Sequence, residues 1–407
     1  MKNIKLMWHF AKKNMVSLSI IAIALMLVLF ILLSVWSQIL LATYTKSILV
    51  HQKNYKNSVY CYATNHEIYN NDITSITNYK NTLLSQLETY DIVKDVLTYD
   101  TFELNLKNFE NSSVMVDIYS PQMVENFQLD LKEGRWFSKS NIDVEAVICG
   151  SKVEHIKIGD LIKLDFGINA IVVGKVAYNK VPHFSGIGSS GTSDSLFRSV
   201  DESRIILNKP GGLNEVINKL RSAGKNRNMI AFIIKCREEV SENDINSVLN
   251  TYFIDNGLTH ISVQKIIDNT DIMLEETMKE ILPIPIFLLL ISSISLLSIS
   301  AIMIQRSMND HAKFYLLGCS KKRSILILIL IESIFLWIPF VTNIILALCF
   351  PDFLRKDTMW DLSDAIISFQ SFLPLIIYTV IIGMILALMP LIYYKKYSPL
   401  TFYRRNI

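Results

Sequence analysis

Sequence features that mark common enzyme classes are missing from this chain of 407 residues. It has no G-x-x-x-x-G-K-[ST] loop, so it lacks the phosphate-binding loop with which to hydrolyse ATP itself. Its seven histidines are scattered, with no H-x-x-x-H or His/Cys pairing of the spacing found in metal sites. Its serine-rich stretches contain no G-x-S-x-G nucleophile elbow. The sequence therefore predicts a protein that is not an enzyme and that binds no cofactor or metal.

Charge is missing, or present once as Glu332, in four long windows: residues 14–45, 281–305, 324–351 and 365–394. A helix needs about 20 apolar residues to cross a bilayer, and each window exceeds that length. A cleaved signal peptide is the alternative for the first window. It is disfavoured because the run is too long and no small-residue cleavage site follows it. We expect membrane-spanning helices at residues 16–43, 283–304, 324–350 and 371–394.

The distribution of lysine and arginine predicts which side of the membrane each segment faces. Basic residues dominate segments 1–15, 305–323 and 395–407, so we place these segments and both termini in the cytoplasm. The large segment 44–282 and the acidic loop 351–370 are then outside. The net charge of +3 gives no indication of nucleic-acid binding, because the basic residues lie in cytoplasmic segments. A composition rich in Lys, Asn and Ile adds a weak indication of a bacterium, and hence of a multi-pass protein of its cytoplasmic membrane.

The segment 44–282 has the pattern of a mixed α/β domain with two lobes. Its two ends supply an α/β lobe, and a β-rich lobe is inserted at about 121–200. The fold class predicted for the whole chain is α+β, with one spanning helix, the two-lobed domain and three spanning helices. Strand-like alternation occurs at 59–63, 101–106, 114–119, 144–149, 160–166, 170–176, 204–207, 230–235 and 261–265. Helical spacing occurs from residue 72 to 90, at 214–222, from Ser241 to Gly257 and at 269–281.

Three further expectations concern this domain and its junction with the second spanning helix, and two of them have an open alternative. Cys61, Cys149 and Cys236 are expected to be buried free thiols, with one disulfide and a leftover thiol as the alternative. The Gly/Ser-rich loop 185–195 is expected to be a mobile tip, with a substrate or partner contact as the alternative. The pair Pro283 and Pro285 is expected to disturb the junction with the second spanning helix.

Three segments resemble those of the FtsX/MacB-like permease subunits of bacterial ABC transporters. "LKEGRWF" followed by "AVICGSKVEHIKIGDLIKLDFGINAIVVGKV" resembles the family's external segment. "DHAKFYLLGCSKKRS" resembles its cytoplasmic loop, although Asp310, His311 and Ala312 stand where Glu-Ile-Gly is usual. "YYKKYSPLTFYRR" resembles its C-terminal ending. The order and topology of the three segments match the family over nearly the whole chain.

This resemblance implies a permease that works with a separate ABC ATPase, which holds ATP and Mg. A second permease subunit, identical or paralogous, is implied, and an extracytoplasmic adaptor or lipoprotein is left open. ATP hydrolysis would move the external domain, through a coupling helix that docks on the ATPase. The alternative for that loop is a basic membrane anchor with aromatic side chains at the headgroups. The residues assigned to ATPase coupling are Asp310, Lys313, Phe314, Tyr315, Leu316, Leu317, Gly318 and Ser320.

Two other positions attract attention in the membrane segments. Glu332 is an intramembrane charge, which could reach Arg306 or Lys313 or be protonated. We favour a structural hydrogen bond that fixes the coupling helix over a proton relay. Residues 1–15 predict an amphipathic helix on the inner membrane surface, with Trp8 and Phe10 among its aromatic residues.

Two functions fit these expectations. The first is efflux or displacement of a peptide, lipopeptide or other amphiphile. The second is FtsX-like mechanotransmission or antimicrobial-stress signalling that regulates an envelope partner. The size of the external domain favours the first.

Overall fold

A computed structural model describes most of the chain, which divides into two compact units. One, the helical unit, consists of Met1–Leu41 and Glu275–Ile407, and the other, the sheet unit, is Ala42–Leu274. The described residues are 2–51, 55–63, 73–108, 113–129, 131–138, 143–150, 153–176, 191–193, 204–208, 213–223, 231–316, 318, 320–349 and 369–396.

The helices are long near both ends of the chain and short in between. They are α1 (Lys2–His51), α2 (Ile73–Leu87), α3 (Pro121–Asn126), α4 (Leu213–Ser222), α5 (Glu242–Asp255), α6 (Val263–Glu276), α7 (Pro283–Leu316), α8 (Lys321–Cys349) and α9 (Phe369–Lys396).

Four helical stretches are long and apolar enough to cross a membrane. One precedes most of the sheet unit and three lie toward the C-terminus, so the predicted fold class is confirmed. The chain is therefore a multi-pass membrane protein. The stretches are Leu18–His51, Val263–Met308, Lys321–Leu348 and Phe369–Lys396.

The helical unit is held together along α1. Leu25 and Leu29 are fully buried in a cluster that also contains Leu336 of α8 and Leu375 of α9. By contrast, α7 and α9 also carry apolar side chains that are not buried in the helical unit, such as Phe287, which is more than half exposed. Apolar side chains that remain exposed on spanning helices are suited to contact with lipid or with another spanning helix.

Helix α7 begins at the proline pair, within the longer apolar stretch Val263–Met308. A π-helical turn, Thr277–Ile281, follows α6, and the N–H of Leu282 donates to the carbonyl oxygen of Thr277 at 2.9 Å. Pro283 then occupies the first position of α7, where a residue without an N–H costs no helical hydrogen bond.

The sheet unit contains a ten-stranded mixed sheet in the order β10-β1-β9-β2-β3-β8-β5-β7-β4, with β6 paired to β7. The β3–β8 and β5–β7 pairs are parallel, and the others are antiparallel. The strands are β1 (Ser58–Ala63), β2 (Val93–Asn105), β3 (Ser113–Tyr119), β4 (Leu131–Gly134), β5 (Glu145–Cys149), β6 (Leu161–Lys163), β7 (Asn169–Val176), β8 (Arg204–Asn208), β9 (Ala231–Cys236) and β10 (Leu258–Ser262).

The 13-residue strand β2 belongs to both halves of this sheet. Its first part pairs with β9, and its second part pairs with β3. The strands within 121–200 do not form a sheet alone, because β5 pairs with β8 through Val147 and Ile206. The β-rich half is therefore wider than 121–200 and includes β3 and β8.

Separate apolar clusters cover the two halves. The first cluster lies beneath α2 and α5 and contains Phe232, Ile234 and Leu249. The second cluster lies beneath α4 and contains Phe102 and Ile205. The three cysteines Cys61, Cys149 and Cys236 are buried free thiols in the structure. Burial raises the pKa of Cys149 to about 12 and that of Cys236 to about 11.

One strand is displaced from its predicted position. The sequence predicted a strand at 261–265, but β10 ends at Ser262 and α6 begins at Val263. The Ser262 hydroxyl accepts a hydrogen bond from the N–H of Lys265 at 3.0 Å, which caps the new helix.

Candidate functional site

The candidate site is the turn that joins α7 to α8, here called the coupling turn and defined as residues 310–323. The last turns of α7 extend to Leu316, so Asp310, Lys313 and Tyr315 are helical. Gly318 has a φ of +92°, a conformation that glycine adopts without steric cost, and its N–H donates to the Tyr315 carbonyl at 3.0 Å. Ser320 precedes α8: its carbonyl oxygen accepts from the N–H groups of Arg323 and Ser324, and its hydroxyl accepts from the N–H of Arg323 at 3.4 Å.

The helices that carry this turn are packed on a buried apolar cluster. Met308 of α7 and Ile331 of α8 are fully buried there with Leu18 of α1 and Tyr394 of α9. Ala312, one turn beyond Met308, is only 2% exposed. The two helices that carry the turn are thus packed with α1 and α9 just behind it, so a force on the turn acts on a packed body.

The outward side of the coupling turn is aromatic and basic. The Tyr315 side chain is 41% exposed, Lys313 and Gly318 are exposed, and Asp310 is half-buried. The side chains of Phe314 and Leu316, and all of Leu317, lie outside the described residues. The basic residues Lys322 and Arg323, at the start of α8, are exposed as well. An aromatic group with a charged rim is typical of a protein interface.

Glu332 is buried within the helical unit and bonded to the neighbouring spanning helix. It is 5% exposed, and its Oε1 accepts a hydrogen bond from Ser300 Oγ at 2.5 Å. Its Oε2 has no hydrogen-bond partner among the described residues. No ion pair joins it to Arg306 or Lys313 in the described part of the chain. Ser300 could not be identified from sequence spacing, since α7 and α8 could have met in other registers.

The predicted inner-surface helix forms the start of α1, which is helical from Lys2. The side chains of Trp8 and Phe10 lie outside the described residues, so their assignment stays a prediction.

The segment "LKEGRWF" and the strand β7 meet at a tight junction between β4 and β7. A Cβ on Gly134, where φ is +84°, would lie 2.3 Å from the carbonyl oxygen of Val173. A Cβ on Gly174 would lie 2.6 Å from the carbonyl oxygen of Arg135. Both glycines are therefore required by the close approach of two backbones.

Arg135, in the same segment, holds a nearly buried carboxylate. Its Nη2 donates to Glu145 Oε1 at 2.5 Å, and Ser138 donates to the same carboxylate from its N–H at 2.7 Å and its hydroxyl at 3.0 Å. Burial of the carboxyl group raises the pKa of Glu145, but the hydrogen bonds from Arg135 and Ser138 outweigh burial, so the net pKa is lowered. Glu145 was not among the predicted site residues, although it directly precedes Ala146 of the segment that resembles the permease family.

The described residues of the Gly/Ser-rich loop, 191–193, are anchored to other parts of the sheet unit. Ser193 is fully buried, and its hydroxyl lies 2.9 Å from Thr45 Oγ1. Its N–H donates to Thr270 Oγ1 at 2.9 Å. Only residues 191–193 of the predicted tip are described, and they contact other parts of the sheet unit, α1 and α6. The remainder of 185–195 lies outside the described residues.

In the described part of the chain, no group of three or more His, Cys, Asp or Glu side chains is placed to hold a metal ion.

Comparisons with known proteins give structural similarity without sequence matches. No protein-family model and no curated protein matches the chain. The periplasmic region of MacB from Actinobacillus actinomycetemcomitans matches with a TM-score of 0.34 and 14% identity, over 55% of this chain and 98% of that chain. The extracellular domain of the noncanonic ABC-type transporter YknZ from Gram-positive bacteria matches with a TM-score of 0.31 and 11% identity, over 50% of this chain and all 100% of that chain.

The chain is similar in fold to external regions of these transporters.

Proposed function

We propose that this chain is the membrane subunit of an ABC transporter, and that it uses ATP hydrolysis by a separate ATPase to expel or displace a peptide, lipopeptide or other amphiphile. The observation that carries the proposal is the coupling turn, in which an exposed Tyr315 and a basic rim project from tightly packed helices. Its sequence also resembles the family's ATPase-docking loop.

The shape of the turn supports a docking role over a membrane anchor. An anchor needs aromatic and basic side chains at the headgroup level and no particular backbone geometry. Here Gly318 reverses the chain within a few residues, and Ser320 starts α8 with a cap. A turn fixed in this way presents the same side chains in one arrangement, which is what a partner protein needs.

Glu332 supports a mechanical role for the helices behind the turn. Its hydrogen bond with Ser300 joins α7 to α8 below the surface of the helical unit. Such a bond keeps the two helices in one register, so that motion of the turn moves both. No proton pathway is needed for this role.

The proposal includes assembly with a second permease subunit in the bacterial cytoplasmic membrane, with both termini in the cytoplasm. The exposed apolar faces of α7 and α9 are suited to such a helix contact as well as to lipid.

The test is co-purification of the ATPase encoded with this permease. Replacing Tyr315 with Asp, alone and together with Leu316→Asp, places carboxylates in the proposed interface. An aromatic residue at the centre of an interface contributes about 2 kcal/mol or more, so we expect at least about a thirtyfold loss of affinity. Phe166→Asp is a matched control, because Phe166 is 42% exposed and lies in the sheet unit.

Equal recovery of the ATPase with the Tyr315 variants and with the Phe166 variant would remove the coupling turn from the interface. Melting temperatures of the purified variants show whether the permease itself stays folded. Accumulation of an amphiphile in a deletion strain, compared with loss of an envelope response, separates transport from signalling.

A further inference from the structure

A pocket of about 450 Å³ lies within the sheet unit. Its size falls within the range of about 300–1,000 Å³ that small-molecule sites occupy. The pocket is bounded by the end of α1, the start of β1, α5 and the start of α6. The lining side chains are Lys46, Leu49, Val50, Lys56, Asn57, Ser58, Val59, Ile245, Ser262, Val263, Gln264 and Ile267.

Half of the lining is aliphatic. Leu49, Val59 and Ile245 are at most 4% exposed and form a closed apolar floor. Val50 is 54% exposed, so an apolar side chain also stands at the rim. An apolar chain bound here would cover the exposed Val50 and the aliphatic floor, and removing this apolar surface from water is favourable.

The charged groups of the lining are both cations. Lys46 forms an ion pair with Asp271. Lys56 is exposed, and no acid pairs with it among the described residues. No carboxylate is among the described lining residues. Two acids of α6 that contact lining residues are already engaged, because Asp271 pairs with Lys46 and Asp268 accepts from Gln264 at 3.0 Å.

The remaining polar side chains of the lining are largely satisfied within the protein. Asn57 Nδ2 donates to the carbonyl oxygens of Arg237 and Glu238, and Ser262 caps α6. The pocket therefore combines an aliphatic floor, saturated polar walls and an ammonium group available for an anion. A cationic headgroup would be repelled by Lys56, and a zwitterionic headgroup has no net charge for Lys56 to attract.

We propose that this pocket binds a single-chain amphiphile with an anionic headgroup, its apolar chain against Leu49, Val59 and Ile245 and its headgroup at Lys56. The inference rests on the proposed function for regarding this molecule as the cargo. The binding itself requires neither the ATPase nor ATP.

The test uses the full chain in phosphatidylcholine nanodiscs, with photoactivatable lysophosphatidylglycerol and photoactivatable palmitic acid as probes. The two probes distinguish a phosphate headgroup from a carboxylate. Photoactivatable lysophosphatidylcholine, which has no net charge, is the comparison. We expect the anionic probes to label the peptide that carries Leu49 and Val50, with at least about fivefold less labelling by the zwitterionic probe.

Two variants make the result specific. Lys56→Glu should reduce anionic labelling about fivefold to tenfold, whereas Lys163→Glu makes the same change of charge at an exposed position outside the pocket and should not. Val50→Trp occupies the rim from an exposed position and should block labelling while leaving the core unchanged.

Equal labelling of wild type and Lys56→Glu, equal labelling by the zwitterionic probe, or no labelling of this peptide would each overturn the proposal. ATPase co-purification is measured on the same variants. Loss of labelling with intact co-purification in Val50→Trp supports a site for cargo. Labelling that persists when no ATPase binds the wild-type chain would refute the proposed function but not this pocket.

Discussion

The Glu145 carboxylate offers a direct test of what holds β5 to the residues that follow β4, because Arg135 and Ser138 both donate to it. Glu145 lies on β5 with a side chain only 8% exposed, and Arg135 and Ser138 donate three close hydrogen bonds to it. Glu145→Gln keeps the shape of the side chain but removes the charge. It also turns one acceptor into an NH₂ group that faces donors.

The expected cost follows from these contacts. Breaking a buried ion pair by removing one partner costs about 3–5 kcal/mol. The Arg135 side chain is 55% exposed and can regain water, so we lower this expectation to about 2–3 kcal/mol. Urea unfolding of residues 42–274 as a soluble fragment measures it, with an unchanged m-value as the sign that only stability has changed.

The same contact predicts a dependence on pH. Because the pKa of Glu145 is lowered in the folded protein, its contribution is complete above the ordinary glutamate pKa of about 4.3. It is lost as the pH falls through the lower, folded pKa. The difference between wild type and Glu145→Gln should therefore be full at pH 7 and should narrow below about pH 4.

Glu154→Gln is the control for this experiment. Glu154 pairs with Lys132 at 3.3 Å, but both side chains are more than half exposed, so we expect a loss of at most about 1 kcal/mol. A loss below about 0.5 kcal/mol for Glu145→Gln at pH 7, or a difference that widens toward low pH, would refute the reasoning.

Two further predictions concern the helical unit and the glycine junction. Ser300→Ala and Glu332→Gln should show a coupling energy of about 0.6–1.7 kcal/mol in a double-mutant cycle of unfolding in bicelles. We expect both variants to retain ATPase binding and to show reduced ATPase stimulation. Additive effects on the free energy of unfolding, or full coupled ATPase activity in Glu332→Gln, would contradict the interhelical role. Gly174→Ala should destabilise residues 42–274 by at least about 2 kcal/mol in urea, because its Cβ would lie 2.6 Å from the Arg135 carbonyl oxygen. Gly159→Ala serves as its comparison, since a Cβ there meets nothing within 4 Å and only the positive φ opposes it.

Local patterns predicted most elements because the relevant physics is local. Charge-free windows identified the spanning helices, and apolar alternation identified strands such as β3 and β7. The first half of β2 was missed because Lys94 and Asp95 interrupt its alternation. Its pairing with β9 supplies the backbone hydrogen bonds that the local sequence does not indicate.

Helix α3 was also missed, although the sequence contains a signal for its start. Helix α3 begins at Pro121, and the Ser120 hydroxyl accepts from the N–H of Met123 at 3.2 Å. A serine followed by proline is a common start of a helix, so the sequence did contain this information.

Long-range contacts of the candidate site could not be predicted in the same way. The partner of Glu332 lies 32 residues away on another helix, and helical register is set by packing rather than by spacing. The anchoring of Ser193 to Thr45 joins residues 148 apart. A Gly/Ser-rich composition gives no indication of such an anchor, because its hydrogen bonds are supplied by distant segments.

The position of β1 has a consequence for how the protein is made. β1 is the first strand of the sheet, yet both of its neighbours, β9 and β10, are the last two to be synthesised. Pairing across so many residues slows folding, because the loop must close before the contacts form. Until β9 and β10 have been synthesised, β1 has two unpaired edges. The sheet unit can therefore close only when nearly all of its chain, from β1 to β10, is available, and until then β1 is open to pairing with the wrong partner.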